Sequence, residues 1–136
     1  MKVAFIIISL IGFANGIYQE FDWAKTANWK IYDPQGHKTL GLSVDTIARF
    51  HSKLMGDKMV LDFLMASKEL PNTYSTTWMG NFVCTYELNG FLRKVDISMY
   101  GGFFYDEYLK KYFEIPMDLR GSWYDMLNKQ SRMLLQ

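Results

Sequence analysis

Cysteine occurs once in the 136-residue chain, at Cys84, so no intrachain disulfide can form and a disulfide-stapled extracellular scaffold is excluded. Histidine is scarce too: His37 and His51 fall in no His-x-x-x-His or paired-cysteine spacing, so no zinc or other metal site is expected. The chain lacks Gly-x-Gly-x-x-Gly and any phosphate loop, which argues against nucleotide cofactors, and no other cofactor is indicated. It also lacks an Asn-x-Ser/Thr acceptor, a composition compatible with a bacterial envelope or secreted protein. Fifteen basic residues against 14 acidic ones leave no surplus of positive charge, and no basic stripe is present to neutralise phosphates. Nucleic acid is therefore not an expected partner.

What is present is enough for one domain. Apolar residues make up 49% of the chain and aromatic residues 17%, so a core of adequate size can form without cross-links. The longest apolar run, Val3 to Ala14, follows Met1-Lys2 and leads to Asn15-Gly16. It falls short of the roughly 20 residues a bilayer span needs. One positive charge, a short apolar stretch and small residues at Ala14 and Gly16 form the three parts of a secretory signal. Residues 1–16 are expected to be a signal peptide cleaved after Gly16, with Ala14 as the alternative, and 17–136 a single exported domain, periplasmic or extracellular. Cleavage would remove Lys2 and leave no membrane span.

Along that domain, a helix is expected around Phe21 to Ala27 and a strand over Asn28 to Asp33. Pro34-Gln35-Gly36 would turn the chain into a return strand through Thr39 to Leu42. Ser43 and Asp45 suit a helix start, and Ile47, Phe50 and Leu54 share one helical face, which predicts a helix over 44–55. The apolar run Lys58 to Ser67 reads as a largely buried strand.

Asn89-Gly90 is the strongest local signal, because both residues tolerate positive φ and favour a two-residue hairpin turn. Folding there pairs Leu88 with Phe91, Tyr86 with Arg93, Cys84 with Val95 and Phe82 with Ile97, a mostly apolar face. Glu87, Thr85 and Val83 pair with Leu92, Lys94 and Asp96 on the opposite, mostly polar face, which should meet water or a weaker packing layer. Gly101-Gly102 and Asp106 to Lys110 allow two further reversals, into Phe103-Phe104-Tyr105 and Lys111 to Ile115. Past Pro116, Leu119, Trp123, Met126, Leu127 and Leu134 form a helical stripe. The expected class is α+β: an antiparallel meander sheet of about five to seven strands packed against an internal helix and a C-terminal helix.

No catalytic constellation emerges. Cys84 falls on the apolar side of the hairpin, where a thiol behaves as a small hydrophobe. The acids Asp62, Asp106, Glu107 and Glu114 are the nearest candidates for general acid and base chemistry, and Asp62 interrupts an apolar run. The aromatic surplus points instead to contact surfaces, with Tyr74 and Trp78 on one loop and Tyr100, Phe103 and Tyr105 on a sheet face as binding candidates. The expected function is a non-enzymatic exported binding module for protein–protein recognition, such as an envelope inhibitor or immunity-type protein. A small-ligand or carbohydrate-binding domain is the alternative, and a hydrolase using acidic residues the third reading.

Overall fold

The computed structural model describes residues 21–34, 39, 41–73, 82–98 and 102–134. The expected signal segment 1–16, and Gln35 and Gly36 of the expected turn, lie outside them. The strands are β1 (Ala27–Tyr32), β2 (Ser52–Leu54), β3 (Lys68–Glu69), β4 (Phe82–Leu88), β5 (Phe91–Ile97), β6 (Phe103–Asp106) and β7 (Lys111–Glu114). The α-helices are α1 (Val44–Ile47), α2 (Asp57–Ala66) and α3 (Met117–Met133). All seven strands join one antiparallel sheet in the order β2-β1-β4-β5-β6-β7-β3. The α+β expectation holds.

Asn89 (φ 53°) and Gly90 (φ 81°) both adopt the left-handed conformation the tight turn requires, and the β4–β5 register is the expected one from Phe82↔Ile97 to Leu88↔Phe91. A slip of one residue would turn Phe82, Cys84, Tyr86, Val95 and Ile97 out of the core, which explains why the register is unique. The meander continues through β6 and β7 as expected. Lys110 (φ 56°) closes the β6–β7 turn, where its N–H donates to the Asp106 carbonyl at 2.8 Å.

Four elements differ from expectation, and two of them exchange roles. In place of the strand expected over 58–67, residues 58–66 form most of helix α2, whose buried Val60 and Leu64 stand one turn apart with Leu61 and Phe63 packed beside them. A ten-residue apolar run has no period that separates a buried strand from a buried helix; here it crosses between opposite edges of the sheet, β2 to β3. The Asp57 carboxylate fixes its start by accepting from the N–H groups of Asn28 (3.3 Å) and Trp29 (3.2 Å). Conversely, the helix expected over 44–55 is the single turn α1, capped by Ser43 as anticipated, because Ser52, Lys53 and Leu54 pair with the free edge of β1. Leu54 is consequently 58% exposed rather than part of an apolar stripe.

The expected return strand through Thr39 to Leu42 is also absent: Thr39, Gly41 and Leu42 are not in a strand, and β1 lies between β2 and β4. Gly41 has φ +94°, which breaks an extended run. The helix expected near Phe21 to Ala27 is a 3-10 turn, Trp23–Lys25, capped by Asp22.

Both sheet faces are used. The first carries Trp29, Ile31, Phe82, Cys84, Tyr86, Val95, Ile97, Phe104 and Phe113, and the helices cover it with Val60, Leu64, Trp123 and Leu127. Trp29 stacks on Tyr86 at 4.8 Å, Phe104 on Phe113 at 5.0 Å, and Phe63 meets Trp123 at 5.1 Å. Across the β1 and β4 side of the second face lies a smaller cluster of Tyr32, Ile47 and Val83, with Leu42 and Phe50 against it.

Candidate functional site

Side chains alternate across a strand, so Phe103 and Tyr105 share the second face of β6, while Phe104 and Asp106 point into the core. The register places Phe103 opposite Glu114 and Tyr105 opposite Tyr112 on β7. The Tyr105 and Tyr112 rings lie 4.7 Å apart at 47°, and Phe103, Tyr105, Tyr112 and Glu114 are all half-buried. Burial, then the neighbouring Tyr112 and Glu107, raise the Tyr105 hydroxyl above the ordinary phenol range.

Helix α3 supplies the border of this surface. The Arg120 guanidinium sits 4.9 Å from the Phe103 ring centre, donates through Nε to the Ile115 carbonyl at 2.7 Å, and pairs with Glu114 at 3.3 Å. A Cβ at position 102 would stand 3.3 Å from the Arg120 Cδ, so Gly102 lets that side chain lie close over the strand. The result is a row of rings held on rigid sheet and bordered by a fixed arginine. Of the expected binding residues, Phe103 and Tyr105 are brought together here; Tyr74, Trp78 and Tyr100 lie outside the described residues. Tyr112, Glu114 and Arg120 complete the surface, and alternation across the 106–110 turn was the signal for Tyr112.

The other half of the second face is closed by the segment running from Thr39 through Phe50. Val83, Thr85, Lys94 and Asp96, expected to meet water or a weaker layer, are fully buried. The Lys94 ammonium donates to the carbonyls of Thr39 (2.6 Å) and Leu42 (2.5 Å), and faces Asp96 at 3.3 Å and Glu107 at 3.2 Å. Surrounded by four acceptors, it tethers a loop and presents no free amine. Burial raises Asp96 above the carboxylate range, against the opposing pull of Lys94 and the Thr39 side chain.

The acids considered for catalysis do not converge. Asp62 is exposed on α2, which packs on the first face, whereas Glu114 belongs to the second face and pairs with Arg120. Asp106 and Glu107 diverge to opposite sides. Asp106 is fully buried, where it accepts from the Tyr86 hydroxyl at 2.6 Å and the Leu109 N–H at 2.7 Å; burial pushes it up to about 6. The Cys84 thiol is buried, and desolvation with the nearby Asp96 raises it far from the thiolate range. His51 is exposed. Among the described residues no three His, Cys, Asp or Glu side chains gather in a metal-sized group, and no helix is long and apolar enough to cross a membrane.

No family profile, curated protein or solved structure matches the chain.

Proposed function

We propose that this chain is an exported, non-enzymatic binding module that recognises a protein through the second face of β6 and β7, acting as an envelope inhibitor or immunity-type protein. The observation that carries the reading is the row of half-exposed Phe103, Tyr105 and Tyr112 bordered by Arg120. Aromatic residues and arginine are the types enriched at the energetic centres of protein interfaces. Mounted on paired strands, they lose little freedom on binding, which favours a specific contact. The export half of the proposal rests on the charge, apolar run and small residues of 1–16.

A tryptophan-lined sugar platform has less support, since the tryptophans among the described residues, Trp23, Trp29 and Trp123, are all core residues. Hydrolysis by paired acids has less still, because Asp106 is sealed in the core and Glu107 and Glu114 are held by cations.

The test uses the folded chain as bait in an extract of the cells that produce it. Wild type is expected to retain one stoichiometric partner. The double variant Tyr105→Ser/Tyr112→Ser, checked for unchanged circular dichroism, should weaken retention by about tenfold or more. Equal recovery by the two baits would overturn the assignment of the surface.

A further inference from the structure

The first sheet face carries exposed rings of its own, at the end nearest the β4–β5 turn. On β5 the side chains of Phe91, Arg93, Val95 and Ile97 alternate onto this face, and the register sets Phe91 opposite Leu88 and Arg93 opposite Tyr86. Val95 and Ile97 lie in the core, but Phe91 is 62% exposed, so the packed cover gives out along the strand. Tyr108, in the β6–β7 turn, is 46% exposed and reaches the same place: the Arg93 guanidinium carbon is 4.1 Å from its ring centre and 5.3 Å from that of Phe91. We propose that Phe91, Arg93 and Tyr108 form a docking surface for an acidic segment of a partner protein, with the guanidinium receiving an Asp or Glu carboxylate and the two rings covered by apolar neighbours of that acid.

The charge around the rings points to a carboxylate. Arg93 makes no hydrogen bond or ion pair among the described residues. Its Nε is buried without a partner, which leaves the two terminal amino groups as the donors a ligand can reach. The acids just before Tyr108 are both engaged elsewhere. Asp106, whose charge Arg93 feels, is sealed in the core on Tyr86 and Leu109, and Glu107 is paired with Lys94 of the second face. Lys110, exposed in the same turn, adds a positive charge that has no ion pair among the described residues. Stacking fixes the plane of the guanidinium, and a planar carboxylate meets such a fork through two parallel N–H donors. An exposed ion pair gains little in water, whereas one dried by apolar cover gains much more. The ligand must therefore be large enough to lie over Phe91 and Tyr108 as well. A protein segment with apolar residues beside its acid does both, and a free small acid does not. Exposed rings around an arginine are also the composition found at the energetic centres of protein interfaces.

A random heptapeptide library displayed on phage, selected on the full folded chain and counter-selected on Arg93→Gln, tests this. The fold of the variant is checked by circular dichroism; if it does not fold, Phe91→Ser, a change at an exposed residue, takes its place. The selected peptides are expected to carry Asp or Glu beside an apolar residue and to shift the backbone amides of Leu88 to Arg93 and Tyr108 to Lys110. Changing that acid to its amide, or binding to Phe91→Ser, should cost about tenfold or more in affinity. The Tyr105→Ser/Tyr112→Ser variant should bind them unchanged, because those rings lie on the opposite face, so this result is separate from that for the β6–β7 surface. Selected peptides without an acid, equal binding by Phe91→Ser, or no peptide that tells the chain from the variants would each overturn the inference. A wild-type dimer in sedimentation that Arg93→Gln abolishes would also overturn it, since the occupant would then be a second copy of this chain.

Discussion

Replacing Lys94 with methionine is expected to destabilise the fold by about 3–5 kcal/mol, a large part of the roughly 5–15 kcal/mol that holds a domain of this size together. The methylene stem is kept, so the loss isolates the ammonium. Without it, Asp96 remains buried with no cation at 3.3 Å, and the carbonyls of Thr39 and Leu42 lose their donor. Removing one member of a buried pair leaves an uncompensated charge, whereas removing both leaves only packing to repair. The double variant Lys94→Met/Asp96→Leu should therefore recover most of the loss, though not all, since the two carbonyls stay unserved. Urea unfolding of the two variants measures this directly. Amide exchange should localise the residual opening to the segment from Thr39 to Phe50. A loss below about 1 kcal/mol in Lys94→Met would mean that Lys94 is not the tether.

The second large effect is a dependence on pH. Asp106 titrates at about 6 in the fold, against an ordinary value of 3.8, because burial penalises its charge more than Tyr86, Leu109 and Arg93 compensate. A carboxyl with a raised folded pKa binds its proton more tightly when native. Its ionisation thus weakens the fold as pH rises from 3.8 through about 6, by about 3 kcal/mol in all. The raised Asp96 acts in the same direction. Stability should be greater at pH 5 than at pH 7. Asp106→Asn, which retains an acceptor for the Leu109 N–H and a partner for the Tyr86 hydroxyl, should remove most of that slope. It should also remain folded at pH 7. An unchanged slope in the variant would show that Asp106 is not its source.

How far the fold was legible depended on whether the deciding contact was local. The β4–β5 hairpin was readable because Asn89-Gly90 fixes the turn and the apolar alternation admits one register. Helix α3 was readable from Trp123 and Leu127, a long stripe beyond a proline. By contrast, 44–55 and 57–66 both carry apolar residues at helix-compatible spacing, and what separates them is the open edge of β1, which takes 52–54. That edge is a property of the assembled sheet. The same reasoning applies to the sites. Phe103 and Tyr105 followed from alternation alone, but Arg120 reaches them only because α3 begins directly after β7. Lys94 and Asp96 suggested a wet surface because both are charged. The buried Lys94 ammonium is served by backbone carbonyls of Thr39 and Leu42, acceptors that every residue possesses and that leave no mark on a sequence, and it in turn offsets the charge of Asp96.

The central claim is that, among the described residues, the second sheet face is covered over β1 and β4 while Phe103, Tyr105 and Tyr112 stay half-exposed over β6 and β7. Tyrosine nitration mapped by peptide mass tests it most directly. In the free chain Tyr105 and Tyr112, half-buried, and Tyr108, 46% exposed, should be modified, while Tyr32 and Tyr86, 3% and 0% exposed, stay intact. With the captured partner bound, Tyr105 and Tyr112 should become protected. Modification of Tyr32 and Tyr86 at the same rate as Tyr105, or full reactivity of Tyr105 and Tyr112 in the complex, would contradict the account.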